Sequence, residues 1–346
     1  MQRLDNKNES IKGFVAKIMS LNVDVLPISD YNKIYLKKHL ETAEYAARLA
    51  WQILEQGVKY CPLPIESLTV AEIGGGTGII SLLAKYLGFK SVIYSDTYAQ
   101  SCLDFEVIAK HLALKPNSIV QGDIHQLIAA HPSEIHLMVS RDVIEHIYKP
   151  EAFFQTACHQ YPNCVMVHNT SANIYNLFKA NYFKTIHLKD ELEGNTNQFK
   201  PGDSTASFYQ MRLDFIKTHY PALDEFKQIL FAKLTRGHTF DDVKTAIDLY
   251  LDKKQLPHLI SHPTNTCDPA TGNWTEHLIK FDDYRSMIPV ETHHLKIEYA
   301  PYNQFTNRGP KQWVQFLLNL IIKTGFFARY VAPAILIIAK PHSAHS

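Results

Sequence analysis

The sequence predicts an α/β fold, an open doubly wound sheet of the Rossmann-like type, with a helical N-terminal segment ahead of it and a helical cap inserted late in it. Three observations predict it. Short β-rich apolar runs alternate with helical patterns between Leu68 and His168; a glycine-rich turn follows the first run; and the alternation stops from about residue 175 to 285, where the pattern is helical. The implied organisation is a helical segment over 1–65, a ligand-binding core over 66–174, a mainly helical cap over 175–285, and the final strands of the core over 286–346.

In order along the chain, Ile34, Leu40, Ala43, Ala47, Ala50 and Leu54 recur at helical spacing, so Asp30 to Gln56 reads as one amphipathic helix with Asp30 as its N-cap. Strands are expected at Val70–Ile73, Ser91–Ser95, Ser118–Gln121, His136–Ser140 and Cys164–His168, with Asn169 following the fifth. Within the cap, Thr239 is a good N-cap, and Val243, Ala246, Ile247, Tyr250 and Leu251 form one apolar face. Strand character returns at His294–Tyr299 and Ala334–Ala339, with a helical run at Gln312–Lys323 between them.

Composition narrows the function classes. The 346 residues are 46% hydrophobic, and 35 Lys and Arg nearly cancel 34 Asp and Glu. There is no global basic field of the kind that drives nucleic-acid binding, which favours a small or neutral partner. Five cysteines without C-x-x-C spacing argue against a disulfide framework or structural zinc, and no metal site is expected. His258, His262, His277, His293 and His294 likewise lack a metal-ligand spacing. The N-terminus is polar, and the apolar stretch Trp313–Ala339 is broken by Lys323, Arg329 and Pro333, so a cytoplasmic protein with no membrane partner is expected.

The chemistry concentrates at Val70-Ala71-Glu72-Ile73-Gly74-Gly75-Gly76-Thr77-Gly78, a strand, a glycine turn and a helix start. Glycines let the backbone approach a ligand, and a helix N-terminus offers N–H donors. A P-loop requires G-K-[ST] after its spacer, but Ile79, Ile80 and Ser81 stand there. A dinucleotide fingerprint requires a small residue where Ile79 stands. The pattern left is E-x-G-x-G-x-G.

With Asp96 closing Val92-Ile93-Tyr94-Ser95, Asp123 in Gly122-Asp123-Ile124, and Asp142-Val143-Ile144-Glu145-His146-Ile147 after the fourth strand, the set resembles class I S-adenosylmethionine-dependent methyltransferases. The resemblance covers 68–170 well and the last strands weakly. It implies S-adenosylmethionine as cofactor, with Glu72 beneath the turn, Gly74, Gly76 and Gly78 along the methionine part, Asp96 on the ribose hydroxyls and Asp123 on the adenine amine. The candidate cofactor-binding set also includes Gly75, Thr97, Ile124 and Arg141.

Ligands of open α/β sheets bind beyond the carboxyl ends of the strands, which brings Asp142, His146, Tyr148 and Asn169 into consideration. His146 and Asp142 are the candidate catalytic residues, His146 as general base or as a group packing behind the cofactor. Neither an N/D-P-P-Y motif nor a cysteine stands directly after the fourth strand, where Ser140-Arg141-Asp142-Val143 is found, which argues against nucleic-acid amino or pyrimidine-ring methylation. The expected reaction is O-, N- or C-methylation of a small molecule. The alternatives are methylation of RNA or protein, or cofactor binding without catalysis. The insertion over 175–285, with the Asp30–Gln56 helix, is expected to form a lid over the acceptor or to serve as a homodimer arm, and the Asp268–His277 run reads as an ordered loop over the active site with Trp274 as an apolar wall, or as a surface connection.

Overall fold

The computed structural model describes residues 4, 6–133, 135–194, 206–257, 265–305 and 309–342. His258 and His262 lie outside them. The chain divides into two compact units: the first comprises Met1–Ile144, Pro150–Ser171 and Lys280–Ser346, and the second Glu145–Lys149 and Ala172–Ile279.

The first unit begins with α1 (Lys7–Met19), α2 (Asp30–Glu41) and α3 (Ala43–Val58). The expected single helix over Asp30–Gln56 is therefore two. Thr42 leaves the helical region at φ −121° and its hydroxyl donates back to the Lys38 carbonyl, so this β-branched residue ends α2 and begins α3. The N-cap of α2 is Ser29, whose side chain accepts from the Asn32 N–H; Asp30 is the first helical residue instead.

The alternating region folds as β1 (Thr69–Ile73), α4 (Ile79–Leu87), β2 (Ser91–Asp96), α5 (Ala99–His111), β3 (Ser118–Gln121), α6 (Ile124–Ala130), β4 (Leu137–Arg141), α7 (Pro150–Gln160) and β5 (Val165–Thr170). Each strand falls within two residues of its expected span, and Asn169 lies inside β5 rather than after it. The five strands pair in parallel, with Val70 opposite Val92 and Leu137. β1 is buried along its whole length, as a parallel strand covered on both faces must be.

In the second unit, α9 (Phe208–His219), α10 (Glu225–Leu234) and α11 (Phe240–Lys253) pack around Leu213, Ile216, Phe231, Val243 and Ile247, while α8 (Leu177–Leu192) packs through Ala180 and Phe183 with Ala172 and Leu278. Thr239 caps α11 by accepting from Asp242 N–H, as the sequence predicts. A buried ion pair joins Arg212 to Glu191; Thr266 donates to the other Glu191 oxygen at 2.6 Å and Arg212 Nε donates to the Ala232 carbonyl at 3.1 Å, so the buried charges are hydrogen-bonded as well as paired.

The first unit resumes with α12 (Phe281–Met287), β6 (His293–Ala300), α13 (Pro310–Thr324), α14 (Ala328–Val331) and β7 (Ala334–Pro341). β7 inserts antiparallel between β5 and β6, giving the sheet order β3-β2-β1-β4-β5-β7-β6. Strand order reverses beside β1. Right-handed crossovers then put α4 and α5 on one face, and α6 and α7 on the other. α3 and α1 join α4, and α12 packs with α7. This is the Rossmann-like class I methyltransferase fold, and its strand order reverses between β1 and β4, the point at which open α/β sheets form a crevice outside the carboxyl ends of their strands. Among the described residues no helix is long and apolar enough to cross a membrane.

Candidate active site

Three of the turn's glycines have no room for a side chain. A Cβ on Gly74 would meet Val143 at 2.6 Å, on Gly75 the Tyr94 ring at 2.3 Å, and on Gly78 the Phe105 ring at 2.0 Å. These glycines let the turn settle onto the stacked pair Tyr94 and Phe105, whose ring centroids are 3.9 Å apart. Gly76 differs. It has φ +53° and nothing within 4 Å of where a Cβ would stand, so its bare backbone borders open space.

Glu72 is buried beneath the turn. One of its oxygens accepts the Ser81 N–H at 2.8 Å, which satisfies a donor in the first turn of α4. Burial pushes its pKa up to about 7 against the partly compensating hydrogen bonds from Ser81 and Ile80.

Asp96, the last residue of β2, is also buried, at 9% exposure. Its Oδ2 accepts the Gly76 N–H at 2.9 Å and its Oδ1 the Tyr98 N–H at 2.8 Å. The Tyr94 hydroxyl donates to the Gly76 carbonyl at 2.7 Å, so both ends of the Gly76 peptide environment are fixed from β2. An ionised carboxylate has about four acceptor sites. Two N–H groups leave capacity for a vicinal diol, beside the open face of Gly76. That donor and acceptor set fits a ribose.

Arg141 ends β4, with Nε 3.4 Å from the Asp142 carboxylate. Asp142 takes a left-handed φ of 52°, held by its N–H donating to the Asn169 carbonyl at 2.8 Å and its carboxylate accepting Ser171 N–H at 3.2 Å. Both thus sit at the carboxyl ends of β4 and β5. Asp123 is the N-cap of α6 in a reciprocal capping box with Gln126, is exposed, and receives the His125 N–H at 2.7 Å. Ile124 is buried behind it, and Thr97 is exposed between β2 and α5.

Two residues that spacing did not single out complete this region. Nδ1 of His39, on α2, is hydrogen-bonded to Thr77 Oγ1 of the glycine turn at 2.8 Å. Burial, helped by the positive charge of Arg141, lowers the His39 pKa to about 4, so this imidazole is neutral at pH 7. The helix that carries it is tied down at its start by buried Asp104 of α5, which accepts Ser29 N–H at 3.2 Å, the Ser29 hydroxyl, and Asn32 Nδ2–H at 2.8 Å. No local pattern announces contacts 38 and 75 residues apart in the chain. They depend on how α2 returns over the turn.

His146 belongs to the second unit, in the segment Glu145–Lys149. This segment is zipped to the Trp274 loop: Trp274 N–H donates to the His146 carbonyl at 3.2 Å, and His277 N–H to the Glu145 carbonyl at 2.9 Å. His146 Nδ1 lies 2.7 Å from the Trp274 carbonyl. A carbonyl only accepts, so Nδ1 carries the proton and the lone pair of the neutral ring is on Nε2. Tyr148 stacks on Trp274 at 5.9 Å and its hydroxyl donates to Asp242. The Trp274 loop is thus ordered against the Glu145–Lys149 segment and orients the His146 ring.

No protein-family profile matches the chain, and no curated protein matches it in sequence. Solved structures with similarity include the ribosomal protein L11 methylase from Lactobacillus delbrueckii subsp. bulgaricus, at 21% identity, 35% of this chain, 59% of that one and TM-score 0.27. A second is an S-adenosylmethionine-dependent methyltransferase from Clostridium acetobutylicum ATCC 824, at 18% identity, 42% of this chain, 59% of that one and TM-score 0.35. A third is the precorrin-6y C5,15-methyltransferase from Geobacter metallireducens GS-15, at 15% identity, 41% of this chain, 71% of that one and TM-score 0.30. The matched region thus spans well under the full length of these proteins, and at such values the likeness says nothing of activity or substrate.

Proposed function

We propose that the chain is an S-adenosylmethionine-dependent methyltransferase acting on a small-molecule acceptor. The observation that carries this reading is the Asp96 carboxylate clamped to Gly76 with open space above that glycine. Asp96 would accept from the ribose hydroxyls, and the turn from Gly74 to Gly78 would run along the methionine part. Glu72 would hold the turn from below, while Thr97, Asp123, Ile124 and Arg141 would border the rest of the cofactor.

When bound, S-adenosylmethionine supplies a methyl group on a sulfonium, a leaving group that needs no further activation. The chain's task is then chiefly to align the acceptor, and orientation is worth about 7–11 kcal/mol of barrier, against about 10²–10⁴-fold from a general base. His146, with its lone pair fixed on Nε2 by the Trp274 carbonyl, is suited to take the acceptor's proton. Asp142 would orient the acceptor or Arg141. The near-balance of charge favours a small molecule over RNA.

The test is incubation of the protein with methyl-labelled cofactor and separated pools of metabolites, RNA and protein. Label in the metabolite pool is expected. Label confined to RNA or protein overturns the small-molecule reading, and cofactor binding without transfer to any pool overturns catalysis.

A further inference from the structure

The connection between β6 and β7 carries α13 with its apolar side turned outward. Trp313, Phe316, Leu317 and Leu320 recur at three- and four-residue steps and are all exposed, Trp313 at 69% and Leu317 at 57%. The side turned inward is anchored by a polar residue. Asn319 is buried, accepts Tyr302 N–H at 2.7 Å and donates to the Tyr302 carbonyl at 3.1 Å. Ile322 completes the anchor against Ala328 and Ala332. The turn that follows adds Phe326 at 78% exposure and Phe327 at 55%. An apolar area of this kind, held rigidly outward, marks an interaction surface.

Charge identifies the occupant. After Glu298 the sequence has no acidic residue, whereas Arg308, Lys311, Lys323, Arg329 and Lys340 all follow it. Lys323 and Arg329 flank the apolar face and are exposed. A second copy of the chain pressed on this face by two-fold symmetry would bring like charges together. With 15 residues, α13 is about 22 Å long, short of the roughly 30 Å hydrocarbon core. Apolar and aromatic groups on one side with cations at the margin are what an interfacial helix requires.

We propose that α13 and the Phe326-Phe327 turn dock the protein on an anionic phospholipid surface, lying in the interface without spanning it.

The experiment is co-sedimentation of the full chain with vesicles of phosphatidylcholine alone or phosphatidylcholine with phosphatidylserine. Binding to the anionic vesicles is expected, weakened by salt, with a blue shift in emission from Trp313, since Trp51 and Trp274 are already buried. The double variant W313S/L317S should lower binding about tenfold or more, and K323Q/R329Q about tenfold on anionic vesicles. Both should keep the wild-type circular dichroism, because the changed side chains are exposed. Absence of vesicle binding overturns the proposal, as does undiminished binding by W313S/L317S. A concentration-dependent dimer that W313S/L317S abolishes and vesicles do not dissociate overturns it in favour of a second copy.

Discussion

Asp96 holds Gly76: the carboxylate at the end of β2 accepts the Gly76 N–H at 2.9 Å while its second oxygen accepts Tyr98 N–H at 2.8 Å. One side chain therefore shapes the turn and offers acceptors to the crevice. Asp96→Ala should weaken S-adenosylmethionine binding by about 1.5–3 kcal/mol, read by titration calorimetry. Asp96→Asn, which keeps one acceptor oxygen, should lose less. Equal and negligible losses would show that the ribose is held elsewhere.

Gly76 and Gly78 should separate binding from stability. Gly76→Ala meets open space and pays only for its left-handed backbone, about 1–2 kcal/mol, yet puts a methyl where the ligand is proposed to lie. Gly78→Ala adds a methyl only 2.0 Å from the Phe105 ring to a φ of +71°, for a loss of about 3 kcal/mol or more. Urea denaturation and cofactor titration of both variants check this. Stable folding of Gly78→Ala, or full cofactor affinity in Gly76→Ala, would contradict it.

His146→Ala should lower kcat about 10²-fold or more with the cofactor Kd unchanged, if its Nε2 serves the acceptor. His146→Asn keeps a donor for the Trp274 carbonyl but has no basic nitrogen, so it should restore loop order without restoring turnover. A parallel loss of cofactor affinity would indicate a packing role.

His39 gives a pH signature. Its pKa is about 4 in the fold against an ordinary 6.5, so the unfolded chain takes up this proton first as pH falls. The neutral ring's contribution is complete above about pH 6.5 and is lost as pH drops toward 4. Buried His168, lowered to about 3, acts in the same sense. The Tm gap between wild type and His39→Gln should therefore narrow from pH 6.5 to 4. A gap independent of pH would show that the His39 pKa is not lowered in the fold.

The sheet was legible because parallel strands buried between helices carry short apolar runs, Val70-Ala71 in β1 and Val165-Met166-Val167 in β5 among them. Thr239 was legible as a cap because its bond to Asp242 is local. The break at Thr42 was not, since apolar spacing runs on across it and a single hydroxyl bond ends the helix. Nor was the His39 contact with Thr77, which depends on chain return. For α13, periodicity shows an apolar face but not the direction in which Asn319 turns it.

Binding of S-adenosylmethionine at the Gly74–Gly78 turn is tested most directly by parallel calorimetric titrations of the wild-type chain with S-adenosylmethionine, its demethylated product and NAD. Saturable binding of the first two, lost in Asp96→Ala, with none of NAD is the result expected; binding of NAD alone, or of none of the three, would contradict it.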